Sequence, residues 1–355
     1  MPVESIYYAI TWACHRRCKH CYEDRFRPYV RSQLETVVKE AETCFPAIVE
    51  HLPPRMRYLD LEDIDAEGKS QEKTSRIILS GGEVLIDPVR ERILYPLLER
   101  LRDKYRDQGG VKIVVQTTGD LLTESIIDEL LARDIWMISV AGMDDFHVGM
   151  QGDKKLSLQD QLTRWFEQAG MTLSQLASGN RKWLDETGPL FSFFGATPDA
   201  WIGKLWPRGR AWENGLSTAK LQDNFCNAWS GGLNFLRHGY SGSEVSIEPN
   251  GNVYPCCMKT KLPIGNLAEE PLIDILDSLQ GHPVFEAIAT GHPERMGITY
   301  GWDVGQFIEQ SRTTTPQGKP YQNLCIGCDR FHEQVLEPVI ESLRQQRLSQ
   351  RRSAA

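Results

Sequence analysis

Residues 14–22 read CHRRCKHCY, which sets Cys14, Cys18 and Cys21 in a C-x3-C-x2-C spacing with no fourth thiol nearby. The segment before them, SIYYAITWA (residues 5–13), is rich in β-branched and aromatic residues and reads as a strand running straight into the cysteine loop. The same cadence recurs downstream. RIILSGGE (76–83), VKIVVQTTG (111–119) and IWMISVAG (135–142) are apolar runs that end at or just before glycine. Helical spacing separates them: Leu34, Val37, Val38, Ala41, Phe45, Ile48 and Leu52, then Ile93, Leu94, Leu97, Leu98, Leu101 and Tyr105, then TESIIDELLARD (123–134). Pro46 reads as a kink or restart within the first of these, and LEDIDAEGKSQEKT (61–74) as a polar, acidic insertion.

Strands alternating with helices, each strand a continuous apolar run, predict a parallel sheet covered by helices, an α/β fold. Such sheets hold ligands at the carboxyl ends of their strands. The cysteine loop, SGGE, QTTGD and SVAGMDD all fall there, so the four loops should converge on one rim.

Composition narrows the class. The chain has 355 residues, 41% of them hydrophobic and 25% charged, enough for a large core domain plus a smaller one. A net charge of −8 disfavours a general nucleic-acid coat, although RQQRLSQRRS (344–353) is locally basic and reads as a frayed helix end with solvated charges. No run approaches the roughly 18 apolar residues of a membrane span, and the N-terminus lacks the features of a signal peptide, so a cytoplasmic protein is expected. The first strand begins within ten residues of Met1, leaving no room before it for a peptide-recognition domain and weighing against a leader-bearing peptide as substrate.

Nine cysteines in a reducing compartment point to metal binding or catalysis rather than to disulfides. A closed zinc site takes four protein ligands, usually as two pairs, and His15 or His20 would have to close a tetrahedron inside one tight loop. A [4Fe–4S] cluster on three thiolates, with one iron left for a ligand that is not protein, suits the spacing better.

On these residues the chain resembles the radical S-adenosylmethionine (radical SAM) enzymes. The resemblance implies that Cys14, Cys18 and Cys21 hold a [4Fe–4S] cluster whose open iron is chelated by SAM. It further implies that His20 and Tyr22 lie beside the adenine and that Gly81, Gly82 and Glu83 bind the SAM amino group. Gln116, Thr118 and Ser139 would then contact the SAM carboxylate or ribose. The implied fold is a partial (β/α)6 TIM-like barrel.

The second cysteine group extends the likeness. GNVYPCC (251–257) is similar to the G-x4-C element of the SPASM and twitch families, with Cys226 before it and CIGC (325–328) after it. Cys226, Cys256, Cys325 and Cys328 would hold one auxiliary [4Fe–4S] cluster, the twitch arrangement; a zinc knuckle on the same four is the alternative. The interval from Cys226 to Gly251 is longer than the usual pattern. EVSIEPNGNVYPCC (244–257) reads as a β-hairpin turning on Asn250 and Gly251. Cys257 is structural in the simplest case, or replaces Cys256 as ligand, or donates a hydrogen atom as cysteine does in some radical SAM epimerases. Cys44, on an apolar helix face, reads as a small buried hydrophobe.

Five tryptophans, Trp165, Trp183, Trp201, Trp206 and Trp212, with Lys204, Arg208 and Arg210, form either a surface for a planar or anionic substrate or the packing of a linker. GHPERMGITYGWDVGQF (291–307) is a second glycine-rich insertion placed to cover the site. The expected division is a core at 1–220, an auxiliary cluster domain of β-hairpin plus helix at 221–335, and a C-terminal helix with basic tail at 336–355. The resemblance implies reductive cleavage of SAM and hydrogen-atom abstraction, leading to oxidation or bond formation on a small molecule or peptide. An electron donor such as flavodoxin or ferredoxin would serve it. Alternatives are a non-enzymatic iron–sulfur or zinc protein and, within the class, an RNA-modifying or epimerising enzyme.

Overall fold

A computed structural model of the chain describes residues 2–178, 184–195, 204–227 and 244–354. Its main sheet is built from β1 (Ser5–Ala9), β4 (Arg76–Ser80), β5 (Lys112–Thr117), β6 (Met137–Ala141), β7 (Thr172–Leu173), β8 (Leu190–Phe194), β9 (Glu244–Ile247), β10 (Asn252–Tyr254) and β11 (Gly265–Asn266), in the order β11-β10-β9-β1-β4-β5-β6-β8-β7. All pairs from β9 to β7 are parallel, while β9-β10 and β10-β11 are antiparallel. The α/β expectation therefore holds, with one addition. The place beside β1 is taken by β9 from the hairpin, with Ser5 opposite Glu244 and Tyr7 opposite Ser246, so the sheet runs across the expected boundary at residue 220.

The acidic insertion is itself a hairpin, β2 (Arg57–Ile64) against β3 (Ser70–Thr74), closed by Asp65, whose carboxylate takes the amides of Glu67 and Lys69. Helices cover the outer face. α1 (Arg31–His51) runs through Pro46 as one helix, because the helix loses only a single backbone donor there and Val38, Ala41, Phe45, Ile48 and Val49 keep it packed. α2 (Asp87–Val89) passes through a π-helical turn at Arg90–Leu94 into α3 (Tyr95–Tyr105), and α4 (Glu124–Leu131) is capped by the Thr123 hydroxyl. α5 (Asp153–Gln168) follows β6, and the short α6 (Gly209–Glu213) stands against the cysteine loop. α7 (Leu272–Asp277), α8 (Pro283–Ala289), α9 (Val304–Gln310), α10 (Leu324–Phe331) and α11 (Glu337–Ala354) complete the C-terminal part, with β12 (Arg312–Thr314) and β13 (Pro320–Gln322) as a small separate ladder.

The basic tail departs from its expected solvated state. Arg347 is buried, with its guanidinium on Glu270 at 2.7 and 2.8 Å, on the Ser278 hydroxyl and on the Ile264 carbonyl. Arg344 pairs with Glu269, and Arg351 donates to the Glu269 carbonyl. The basic residues recur at helical spacing because they dock α11 onto the segment leading into α7.

Candidate active site

The chain turns from β1 into the cysteine loop under close restraint. Thr11 and Ala13 offer their carbonyls to the amides of Gly82 (3.0 Å) and Glu83 (2.8 Å), so the loop's first turn lies directly on the glycine pair. A Cβ at Gly82 would stand 2.1 Å from the Ala13 oxygen, and one at Gly81, whose φ is +142°, 2.6 Å from the Thr11 oxygen. The close approach that the glycines permit is thus to the loop's own backbone.

From the other side Arg210, buried at 5% exposure, donates to the carbonyls of Cys18 (2.9 Å), Asp24 (3.0 Å) and Phe26 (2.8 Å), and the Ala211 amide reaches Cys21. Arg16 bonds Asp120 and the Val148 carbonyl, while the Val148 amide points at the Cys18 sulfur (3.4 Å). The loop is therefore held by three separate strand-end segments.

Cys14, Cys18 and Cys21 line one cavity at the carboxyl ends of the strands, together with His20, Tyr22, Gly81, Gly82, Gln116, Thr118 and Cys257. Glu83 and Ser139 do not line it. The Glu83 carboxylate, 1% exposed, is saturated by Thr117 Oγ1 (2.7 Å), Thr118 Oγ1 (2.7 Å) and the amides of Thr118 (2.8 Å) and Leu85 (3.0 Å), tying the end of β4 to that of β5. Ser139 shares a hydrogen bond with Ser192 at 2.9 Å on the neighbouring strand. Both spend their polar atoms on internal partners, as interior strand-end polar groups must once buried.

Burial pushes the Cys14 thiol up to about 12 and that of Cys21 to about 11, with neighbouring thiols adding to the rise; Cys18 is raised too. Three crowded, buried thiols ionise readily only beside a cation. Among the described residues, no three cysteine sulfurs come within 4.8 Å of one another. Sulfurs on one tetrahedral zinc, each about 2.3 Å from the metal, sit about 3.8 Å apart.

The second group meets in a second, enclosed cavity. Cys226, Cys256, Cys325 and Cys328 all line it, with Arg208, Asn224, Phe225, Met258 and Pro293. Asn323 caps α10, accepting the Cys325 amide at 2.9 Å, and Asn224 does the same for Cys226 at 3.0 Å. Burial raises all four thiols. The Arg208 guanidinium, paired with Asp329 at 2.8 and 3.0 Å, pulls against that rise. Arg208 and Arg210 are thereby committed to internal partners rather than to an anion-binding surface. Lys204 lines the first cavity and pairs with Asp223.

The two cavities share a wall. Phe225 and Met258 line both, and the consecutive residues Cys256 and Cys257 divide between them, Cys256 to the second and Cys257 to the first. Trp206 also lines the first cavity and packs with Cys256, Cys257 and Cys325. Trp212 stacks edge-on to Tyr321, and Trp165 packs on the core; Trp183 and Trp201 lie outside the described residues. The insertion at 291–307 reaches the second cavity through Pro293 and otherwise buries Met296, Trp302 and Phe307 against Phe331, so it does not cover the first. Cys44 is half-buried against the core.

The family comparisons agree with this geometry. The radical SAM superfamily model matches residues 8–163, and the SPASM model, an iron–sulfur cluster-binding domain, matches residues 240–293. Residues 8–163 are a radical SAM domain. The chain's radical SAM domain binds a [4Fe–4S] cluster and SAM, and its SPASM domain is of the kind that binds auxiliary iron–sulfur clusters. Solved structures similar to it include BtrN in complex with AdoMet and 2-DOIA (14% identity, 86% of this chain and 92% of that one, TM-score 0.41). Another is anSMEcpe with bound AdoMet and the Cp18Cys peptide (12% identity, 97% and 99%, TM-score 0.45). A third is Streptococcus suis SuiB bound to S-adenosylmethionine (12% identity, 82% and 68%, TM-score 0.40). No curated protein matches the chain.

Several residues of the site carried no sequence signal of their role. Asp144 is fully buried and holds His147 by Nδ1 at 2.9 Å; with His20 they form the one close trio of His, Cys, Asp or Glu ligand atoms among the described residues. Tyr7 and Glu244 line the first cavity from β1 and β9. Their alternation with Ile6 and Val245, which belong to the hydrophobic core, is the signal that would have marked them as inward-facing.

Proposed function

We propose that this enzyme abstracts a hydrogen atom from a small-molecule or peptide substrate held in the first cavity, and that the outcome is oxidation or bond formation. In this reading Cys14, Cys18 and Cys21 hold the cluster that binds SAM, and Cys226, Cys256, Cys325 and Cys328 hold one auxiliary cluster. The observation that carries it is the shared wall: two cavities, each lined by one cysteine set, meet at Phe225, Met258 and the Cys256–Cys257 pair. Bound there, the clusters and SAM supply one-electron chemistry and a carbon radical that takes hydrogen atoms.

The chain's own residues do the rest. Gly81, Gly82 and the carbonyls they leave near the rim receive the amino acid end of SAM, while His20 and Tyr22 flank its adenine and Gln116 and Thr118 its polar edge. Burial, with His147 adding to it, holds the His20 imidazole down at about 4, so the ring is neutral and suited to a flat contact with a base. Glu83 fixes the rim rather than touching the ligand. The apolar wall of Phe26, Phe194, Leu205, Trp206 and Phe225 excludes water from the reacting carbon. A flavodoxin or ferredoxin is the electron donor in this reading.

One observation favours a second reading. Cys257 faces the first cavity, where a thiol can return a hydrogen atom to a substrate radical, giving epimerisation instead of oxidation.

Anaerobically reconstituted protein carries about eight iron per chain for two cubane clusters. With SAM and a strong reductant it releases 5′-deoxyadenosine without added substrate. Replacing Cys14, Cys18 and Cys21 together by alanine abolishes that release; SAM cleavage surviving in the triple variant would reject the assignment.

A further inference from the structure

α10 passes into α11 through a π-helical turn, His332–Leu336, whose first residue is a fully buried histidine. His332 is 0% exposed, and neither ring nitrogen has a hydrogen-bond partner among the described residues. An imidazole always carries at least one N–H, and a buried donor left unpaired is costly. π-Helical turns are uncommon too, and where one interrupts an α-helix it often marks a functional site.

Position on the helix shows what His332 faces. Cys325 and Cys328 line the second cavity, and Asp329 holds Arg208, which lines it too. His332 follows these three at i+7, i+4 and i+3, the spacings that share one helix face, where neighbouring Cβ atoms stand about 5–6 Å apart. Helical side chains lean toward the N-terminus of their helix, so the imidazole leans over the turn that carries Cys328 and Asp329. Phe331, one residue earlier, turns to the core instead and packs on Trp302 and Tyr300. The field of the Arg208 guanidinium reaches His332 as it reaches all four thiols, so ring and cysteines surround one charge. No cysteine sulfur is itself bonded to the ring, and the acceptor that suits it is therefore one the four cysteines bring with them. The sulfides of an iron–sulfur cluster accept such bonds, and hydrogen bonds to its sulfurs help to set the reduction potential.

We propose that His332 donates an N–H hydrogen bond to a sulfide of the auxiliary cluster and thereby raises that cluster's reduction potential. This rests on the reading in which Cys226, Cys256, Cys325 and Cys328 hold the cluster, and deepens it by giving electron flow a direction. Reduction adds one electron, and so one negative charge, to the cluster. A donor aimed at its sulfur stabilises the reduced form more than the oxidised one. The raised potential suits a cluster that takes an electron from a substrate radical.

The test uses the full chain with Cys14, Cys18 and Cys21 replaced by alanine, so that the iron left, about four per chain, belongs to the second site. With 15N-labelled histidine, the pulsed EPR spectrum of the reduced cluster shows a histidine nitrogen coupling. His332→Leu, close in volume but without nitrogen, removes that coupling and keeps the iron. It also lowers the midpoint potential by about 59 mV, a tenfold loss in the equilibrium constant for one-electron reduction. One of His332→Asn and His332→Gln, whose amides stand near the places of Nδ1 and Nε2, regains at least half of that shift. Should His332→Leu fail to fold, the coupling in the chain that keeps His332 and the potentials of the two amide variants decide the matter. A spectrum without histidine coupling, a coupling that survives His332→Leu, or a potential unmoved at full iron would each overturn the hydrogen bond while leaving the cluster in place. A second site that takes up no iron would overturn both.

Discussion

At the scale of single residues, what holds the cysteine loop in place is mostly backbone, and the residue that matters most is the smallest. Gly82 has no room for a side chain, since a Cβ would meet the Ala13 oxygen at 2.1 Å and the Cys14 Cβ at 2.9 Å. Both neighbours belong to the chain that positions the first cysteine, and a backbone oxygen cannot swing aside as a side chain can. Gly82→Ala therefore costs about 1–3 kcal/mol of stability by overpacking. It also displaces Cys14, so iron per chain falls together with the urea midpoint. Wild-type values of both would show that the loop tolerates the shift. The glycines were legible in the sequence as a strand-ending pair, but their reason was not. A pattern places Gly81 and Gly82 after a strand without saying which segment comes to lie on them. Glu83 repeats the point: its neighbours Thr117 and Thr118 are 34 and 35 residues away in the chain, and only the parallel pairing of β4 with β5 brings them under its carboxylate.

At the scale of elements, the β9–β10 hairpin is joined to the cysteine loop by a compact ionic cluster. Lys259, just past the hairpin, reaches Glu23 at 2.7 Å and Glu248 at 3.1 Å, and Arg25 pairs with the same two carboxylates. Both cations lie over the Trp12 ring, at 3.7 and 4.9 Å from its centre. Burial disfavours the Glu23 carboxylate, but the hydrogen bonds from Arg25 and Lys259 outweigh it and hold the group down at about 2. A carboxyl depressed on folding gives stability that is present above its unfolded value near 4.3 and is lost as pH falls toward 2. That contribution is on the order of 3 kcal/mol. The expected outcome is that Glu23→Gln lowers the urea midpoint at pH 7 and that wild type and variant converge between about pH 4.5 and 2. A gap that stays constant with pH would mean that the ionised form of Glu23 is not what stabilises the junction. The hairpin could be read from its alternation and its Asn250-Gly251 turn. Its pairing with β1 could not, because nothing local in residues 244–247 states which strand they will lie beside. The Arg210 clamp was hidden for a related reason: its partners are carbonyls, which carry no side-chain signature.

At the scale of the molecule, the chain closes on itself through its cysteines. The first set follows the first strand, the second gathers Cys226, the hairpin's Cys256 and two turns of α10, and the sheet order brings both sets to one shared wall. That wall makes the consequences of losing the second set separable from those of losing the first. Replacing Cys325 and Cys328 together by alanine removes two of four proposed ligands from α10 but touches nothing that holds Cys14, Cys18 or Cys21. Iron then falls from about eight to about four per chain, while release of 5′-deoxyadenosine persists. Stability falls as well, since Cys325 and Cys328 tie α10 to the hairpin and metal-binding free energy at such a site is folding free energy. If the second cavity served only to knit the C-terminal segments, the double variant would yield little folded protein and no change in product pattern among the molecules that survive. If it takes or gives electrons across the Phe225–Met258 wall, folded variant protein consumes SAM without productive turnover, because a radical formed in the first cavity has lost its partner on the other side. Iron analysis, urea unfolding and the ratio of 5′-deoxyadenosine to product, measured on the same preparation, separate the two; wild-type iron with full coupling would mean that Cys325 and Cys328 hold no cluster.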